Sequence, residues 1–257
     1  MEDQTRLEAV IFDVDGTLVD SERDGHRVAF NLAFCELGLP YQWDPELYGE
    51  LLAITGGQQR LHAYLQDQGV SRQERDEQVP KLHRRKTELF RELIADGRVM
   101  SRPGAQRLLD EVGDAGIAIA VATTGTRAWV EPLLDRMFGL ERFSVVVTGD
   151  EAPQRKPDPS AYNMALRELG VVAPGVVAVE DSANGLEAAR AAGVPCAVVV
   201  NDYTRDQSFD GAALVVDRFG MPDDPATVLA SSEGLAGSDG LAGSGQLDLA
   251  TLRQIVR

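Results

Sequence analysis

The sequence predicts an α/β fold, a doubly wound parallel sheet interrupted by a separate helical unit. Three observations carry this reading. Short, nearly continuous apolar runs recur along the chain, as in strands buried on both faces. Amphipathic helical segments alternate with them, and right-handed crossovers turn that order into a parallel sheet covered on each side. After the first run the pattern breaks, and residues 20–97 read as helix throughout, too long for an ordinary crossover.

Taken in order, the first run is LEAVIF, residues 7–12. The helical insert follows with RVAFNLAFCELG, DPELYGELLA, QQRLHAYLQDQG and a long charged segment ending near Gly97. Asp44-Pro45 and Ser71-x-x-Glu74 have the form of helix starts. The alternation then resumes with apolar runs at 117–124, 143–150, 176–181, 196–200 and 214–216. Asp158-Pro159 and Ser182 are candidate caps for helices that stop at Gly170 and Gly193. The expected organisation is a core from 1–19 and 98–257 around an insert from 20–97. The small, polar GLAGS repeat within 231–246 is read as a flexible connector.

Composition narrows the functions. The 257 residues are 44% hydrophobic, which suits a packed globular protein, and the net charge is -16. That charge argues against broad binding to nucleic acid or anionic membrane, and any phosphate ligand would need a metal or local cations. Cys35 and Cys196 give neither a disulfide framework nor zinc spacing, so a cytoplasmic, reducing setting is expected. The acidic start is not a signal peptide, and no run reaches membrane-spanning length. A monomer is the expected state.

Chemistry is sought at the carboxyl ends of the strands, where open parallel sheets bind ligands. Asp13 and Asp15 follow the first run, and Thr123, Thr124 and Gly125 follow the second. Arg155-Lys156-Pro157 precedes the helix after the third, and Glu180-Asp181 closes the fourth. Each has an ordinary structural alternative: a turn, a strand end, a solvated lysine, a helix cap. Their joint occurrence at successive strand ends points to one crevice. Residues two apart on extended chain face the same side, so Asp13 and Asp15 can address one substrate. A carboxylate attacking a phosphate needs a hard cation such as Mg²⁺ to relieve repulsion, with Asp181 and Glu180 nearby to hold it. Lys156 can offset the remaining charge, Thr123 and loop amides can bind phosphate oxygens, and a second aspartate can shuttle the proton. The inferred reaction is phosphoryl transfer through an aspartyl-phosphate.

DVDGT, Thr123, Lys156 in RKPDPSAY, and EDSANG resemble the four motifs of the haloacid dehalogenase-like (HAD) phosphohydrolases. The likeness covers nearly the whole chain and places the insert where that superfamily has its C1-type cap. It implies Asp13 as nucleophile, Asp15 as general acid/base, and Mg²⁺ bound by Asp13, the Asp15 carbonyl and Asp181. A narrower likeness, in DGHRVAFNLAF, YGELLAITGGQQR, HRRKTELF and ATTGTRAWVEPLL, is to the CbbY group, known for xylulose-1,5-bisphosphate phosphatase activity. It implies a small sugar phosphate contacted by Glu22, Thr55, Gly56, Gly57, Arg60 and Lys86, with Thr124 and Gly125 on the core side. Arg60, Arg84, Arg85 and Lys86 could form a second anion site, although Arg84 to Lys86 could equally be a solvated face balanced by Glu88 and Glu92. That group carries a lysine after the glycine pair, where this chain has Gln58. Alternatives left open are a phosphoglycolate or sugar-monophosphate phosphatase, a β-phosphoglucomutase-type mutase, and a non-catalytic phosphate-binding regulator. Cap motion about hinges near 18–22 and 95–104 is also expected, and Ser21-x-x-Asp24 resembles a capping start.

Overall fold

The computed structural model describes residues 6–232, 235, 241 and 243–256. The chain forms two compact units. One runs up to Val19 and resumes at Ser101; the other is Asp20–Met100. The larger begins with β1 (Ala9–Phe12). The crossings into and out of the smaller unit are two-residue strands, β2 (Val19–Asp20) and β3 (Met100–Ser101). Between them lie a π-helical stretch, Glu22–His26, and helices α1 (Arg27–Glu36), α2 (Pro45–Leu51), α3 (Gly57–Asp67) and α4 (Arg72–Ala95). The larger unit continues with α5 (Ala105–Asp114), β4 (Ala118–Ala122), α6 (Arg127–Phe138), β5 (Val145–Val147), α7 (Ser160–Leu169) and β6 (Val176–Glu180). It finishes with α8 (Ala183–Ala191), β7 (Cys196–Val199), β8 (Leu214–Val216), β9 (Val228–Ser231) and α9 (Leu249–Ile255).

The main sheet has the order β5-β4-β1-β6-β7-β8-β9. All neighbours are parallel except β8 and β9, which pair antiparallel with a register shift between Val215 and Val216. Every residue of β1, β6 and β7 is buried, and all are apolar except Glu180 at the end of β6, because both faces are covered. One face packs Ala9, Ile11, Ala120 and Ala178 against Tyr162 and Ala165 of α7 and Leu186 and Ala189 of α8. The small alanines let the helices lie close to the strands. β9 was not anticipated among the apolar runs, because VLAS is largely exposed and its edge position demands no buried face. The region read as a flexible connector falls mostly on residues 233–234, 236–240 and 242, outside the described residues; among its described parts, Leu241 is buried. Cys35 and Cys196 are free thiols.

β1 lies between β4 and β6, so the chain builds outward through β4 and β5 before restarting at β6 on the other side. This reversal opens a crevice at the carboxyl end of β1, where the sheet cannot cover its own loops.

The smaller unit is held by aromatic packing. The Trp43 ring lies tilted 4.7 Å from Phe30 and edge-on 5.1 Å from Phe34 and 5.2 Å from Tyr64, centroid to centroid. Asn31 fixes Trp43 by exchanging two 2.8 Å hydrogen bonds with its backbone. In α4 the buried positions Val79, Leu82, Lys86, Leu89, Phe90 and Leu93 follow helical spacing, and Ser71 with Glu74 forms the capping box its sequence suggests. Asp44 and Ser182 also cap as read, accepting from Leu47 N and Gly185 N. Two starts differ. Asp158 accepts from Ser160 N, placing Pro159 at the cap position and not at N1. Ser21 makes no side-chain cap bond; the stretch after it is π-helical, and His26 N donates to the Ser21 carbonyl at 2.6 Å.

Candidate active site

The carboxyl ends of β1, β4 and β6 deliver the core residues. Asp13 N donates to Val179 O at 3.0 Å and Thr123 N to Val147 O at 3.1 Å, so each ladder continues one bond past its strand and pins these residues at the crevice. Gly16 turns the chain immediately afterwards with φ +77; a Cβ there would sit 2.4 Å from Asp181 Oδ2. Both the left-handed backbone and the close approach require glycine.

Around this turn is a buried charge cluster. Lys156 Nζ donates to Asp13 Oδ1 at 2.7 Å and to Glu180 Oε1. Glu180 also accepts from Tyr162 Oη at 2.7 Å, and its Oε2 from Asp181 N at 3.3 Å. Asp181 accepts from Thr17 Oγ1 at 3.2 Å and from Asn201 Nδ2 at 2.7 Å. Burial pushes Asp13 well above the usual carboxylate range, with Lys156 opposing and Glu180 and Asp181 reinforcing the shift. Burial and then Glu180 raise Asp181 to about 7. Burial works against the Lys156 charge, but Asp13 and Glu180 outweigh it and hold it above its ordinary value.

Asp13, Glu180 and Asp181 each offer a carboxylate oxygen, all within 4.8 Å of one another. Three carboxylates face one ammonium here, an all-oxygen, net-negative set that fits a hard divalent cation. Asp15 is half-buried beside them in sequence, Thr123 is buried with Oγ1 accepting from Gly125 N at 3.2 Å, and Thr124 and Gly125 are half-buried. The structure therefore brings Asp13, Lys156 and Asp181 into direct contact or close range, with Thr123 on the neighbouring strand end. Sequence reasoning missed Asn201, Arg102 and the role of Tyr162. A lone asparagine after the CAVVV run and an arginine before Pro-Gly carry no spacing signal that separates them from loop residues.

The smaller unit holds its own polar cluster. Tyr48 Oη donates to a Glu22 oxygen and accepts from Arg60 at 3.1 Å; Arg60 also donates to Leu51 O at 3.0 Å. Lys86 is buried, 2.7 Å from His26 Nδ1 and over the rings of Phe30 and Phe90. Gly56 caps α3 with φ +95, and a Cβ on Gly57 would meet the His83 ring at 3.0 Å; Thr55 is half-buried before them. The proposed four-cation group does not assemble as read. Arg85 binds Glu36, Glu88 and Glu92, and Arg84 is exposed, while Arg60 and Lys86 are buried. Helical geometry explains the split, since neighbours on a helix point about 100° apart.

A haloacid dehalogenase-like hydrolase family model matches residues 7–193. The chain belongs to the haloacid dehalogenase-like hydrolases. Within this hydrolase family it is 42% identical over 230 residues to a CBBY-like protein of Arabidopsis thaliana, covering 86% of this chain and 72% of that one. It is 44% identical over 220 residues to Protein CbbY of Cereibacter sphaeroides, covering 83% and 93%. A crystal structure of a CbbY variant from Rhodobacter sphaeroides, in complex with xylulose-(1,5)bisphosphate, superposes with a TM-score of 0.75 at 41% identity, covering 84% of this chain and 96% of that one. The parallel-sheet HAD core is thus shared with CbbY. Among the described residues no helix is long and apolar enough to cross a membrane.

Proposed function

We propose that this phosphatase hydrolyses xylulose-1,5-bisphosphate, a small sugar phosphate, in two steps through an aspartyl-phosphate. The observation that carries the reading is the buried chain Asp13–Lys156–Glu180 beside Asp181, set at the topological reversal of the sheet. Lys156 occupies Asp13 Oδ1, so we assign the attack on phosphorus to Oδ2. The phosphorus–oxygen bond to the sugar breaks, and Asp15 gives its proton to the leaving alkoxide. In the second step Asp15 takes a proton from water, the water oxygen attacks phosphorus, and the bond to Asp13 breaks, releasing inorganic phosphate. Mg²⁺, held by Asp13, Asp181 and the Asp15 carbonyl, would supply the positive charge that lets two anions meet. Lys156 keeps Asp13 oriented throughout, while Thr123, Thr124 and Gly125 bind phosphate oxygens.

The choice of substrate is supported by the CbbY relatives and by the bisphosphate bound to one of them. We assign Glu22 to the sugar hydroxyls, Arg60 and Lys86 to the second phosphate, and the Thr55–Gly56–Gly57 turn to close backbone approach. Steady-state kinetics on xylulose-1,5-bisphosphate, phosphoglycolate and hexose phosphates, with Mg²⁺ and with EDTA, tests this. The bisphosphate should have the highest kcat/KM, and EDTA should abolish turnover. No advantage for the bisphosphate, or an isomerised sugar phosphate in place of inorganic phosphate, would overturn it.

A further inference from the structure

Arg102 is the first residue past β3, and the larger unit uses it in an unusual way. Its NH1 donates to Gly16 O and Val199 O, both at 2.7 Å, and its NH2 to Val200 O at 2.7 Å. Its own N–H binds Leu18 O at 2.9 Å, and its guanidinium lies 5.7 Å from the Phe219 ring centroid. One side chain thus ties the turn after Asp15 to the carboxyl end of β7. Two residues past β7 lies Asn201, whose Nδ2 reaches Asp181 Oδ2 at 2.7 Å and Gly16 O at 3.3 Å. Carbonyls at a strand end have lost their ladder partners, and a buried one left unpaired is costly. Arg102 satisfies three at once and sets the height from which Asn201 holds Asp181.

We infer that Arg102 is a positioning residue for the metal-binding centre, acting through the Gly16 turn and Asn201 on Asp181. A lysine is a poor substitute, because its point charge cannot reproduce the planar fork that serves three carbonyls. Partners of metal ligands typically change metal affinity by about 10- to 100-fold when removed. Arg107 offers an internal control. It also donates to three backbone oxygens, Phe219 O, Gly220 O and Leu247 O, but none belongs to the Asp13–Asp181 centre.

The inference rests on the metal-dependent phosphatase reading, and direct Mn²⁺ titration followed by electron paramagnetic resonance separates the two. Parent, Arg102→Lys, Arg107→Lys and Asn201→Ala proteins are compared, with thermal midpoints and steady-state kinetics alongside. Arg102→Lys and Asn201→Ala should each bind Mn²⁺ at least about tenfold more weakly, with kcat reduced and substrate KM little changed. Arg107→Lys should lower the thermal midpoint but keep the parent affinity. Equal weakening in both lysine variants, or parent-like Mn²⁺ affinity in Arg102→Lys, overturns the inference. If Arg102→Lys does not fold, Asn201→Ala decides, and parent-like affinity there refutes it. A parent protein that binds no Mn²⁺ instead removes the functional reading itself.

Discussion

Gly185 sets two physical effects against each other, and the structure says which wins. It is the third residue of α8, where alanine is favoured over glycine by up to about 1 kcal/mol. Propensity alone therefore predicts that Gly185→Ala stabilises the protein. A Cβ at this position, however, would lie 2.0 Å from Glu180 Oε2, 2.1 Å from Cδ and 2.3 Å from Oε1. A carbon and an oxygen in ordinary contact stay about 3.3 Å apart or more, so the carboxylate or the helix must shift by about 1 Å. Glu180 is fully buried and accepts from both Lys156 and Tyr162. Hydrogen bonds to charged groups contribute about 1.5–3 kcal/mol each. Losing most of two such bonds outweighs the helical gain, leaving a net loss of about 2–5 kcal/mol. Lys156 would lose one of its two carboxylate anchors and release Asp13 from its orientation, and misplacement of about 1 Å lowers turnover about 100-fold. Urea unfolding by circular dichroism and kcat on the preferred sugar phosphate test both consequences. A variant with a higher urea midpoint and parent-like kcat would refute the steric reasoning.

Two further predictions concern stability. Phe34→Ala removes a ring packed within 5.1 Å of Trp43 and 5.7 Å of Tyr41, and should destabilise the smaller unit by about 3–5 kcal/mol, read from its tryptophan fluorescence on heating. Glu151 is held down to about 2 by its bond to Arg127, with burial opposing and Thr148 assisting. A folded value below the ordinary one means stability present above the usual carboxylate range and lost as pH falls from about 4.5 towards 2. Glu151→Gln should therefore lower the unfolding free energy from urea titration at pH 7 by no more than about 1 kcal/mol after solvent screening, and converge with the parent in acid. A constant difference across pH would contradict this.

The sheet was legible because its central strands are nearly continuous apolar runs, broken only by Glu180 at the end of β6, a pattern that burial on both faces demands. The position of the candidate site residues was legible for a related reason. Asp13, Thr123 and Asp181 come directly after such runs, so locating the strands located the chemistry. The helical insert was legible as helix, but its register was harder. Arg84, Arg85 and Lys86 look alike in sequence, and only the packing of α4 decides that Lys86 turns inward while Arg85 meets glutamates. Arg102 and Asn201 were not legible, because their partners are mainly backbone carbonyls and a distant aspartate, and carbonyls leave no trace in residue type. β9 was not legible either, since an exposed edge strand imposes no apolar pattern.

The position of β1 in the sheet also bears on how the protein is made. β1 is the first strand synthesised, yet its neighbours are β4, starting at Ala118, and β6, starting at Val176. Ribosomes add about 5–20 residues per second, so the AVIF strand waits roughly 5 to 20 s for its first partner and longer for its second. During that interval the whole Asp20–Met100 unit has emerged and can fold on its own contacts, while both edges of β1 stay bare. Nascent chains stalled between Met100 and Ala118 should consequently be the most dependent on chaperones. The same central placement that puts Asp13 at the crevice makes β1 the last of the early segments to find shelter.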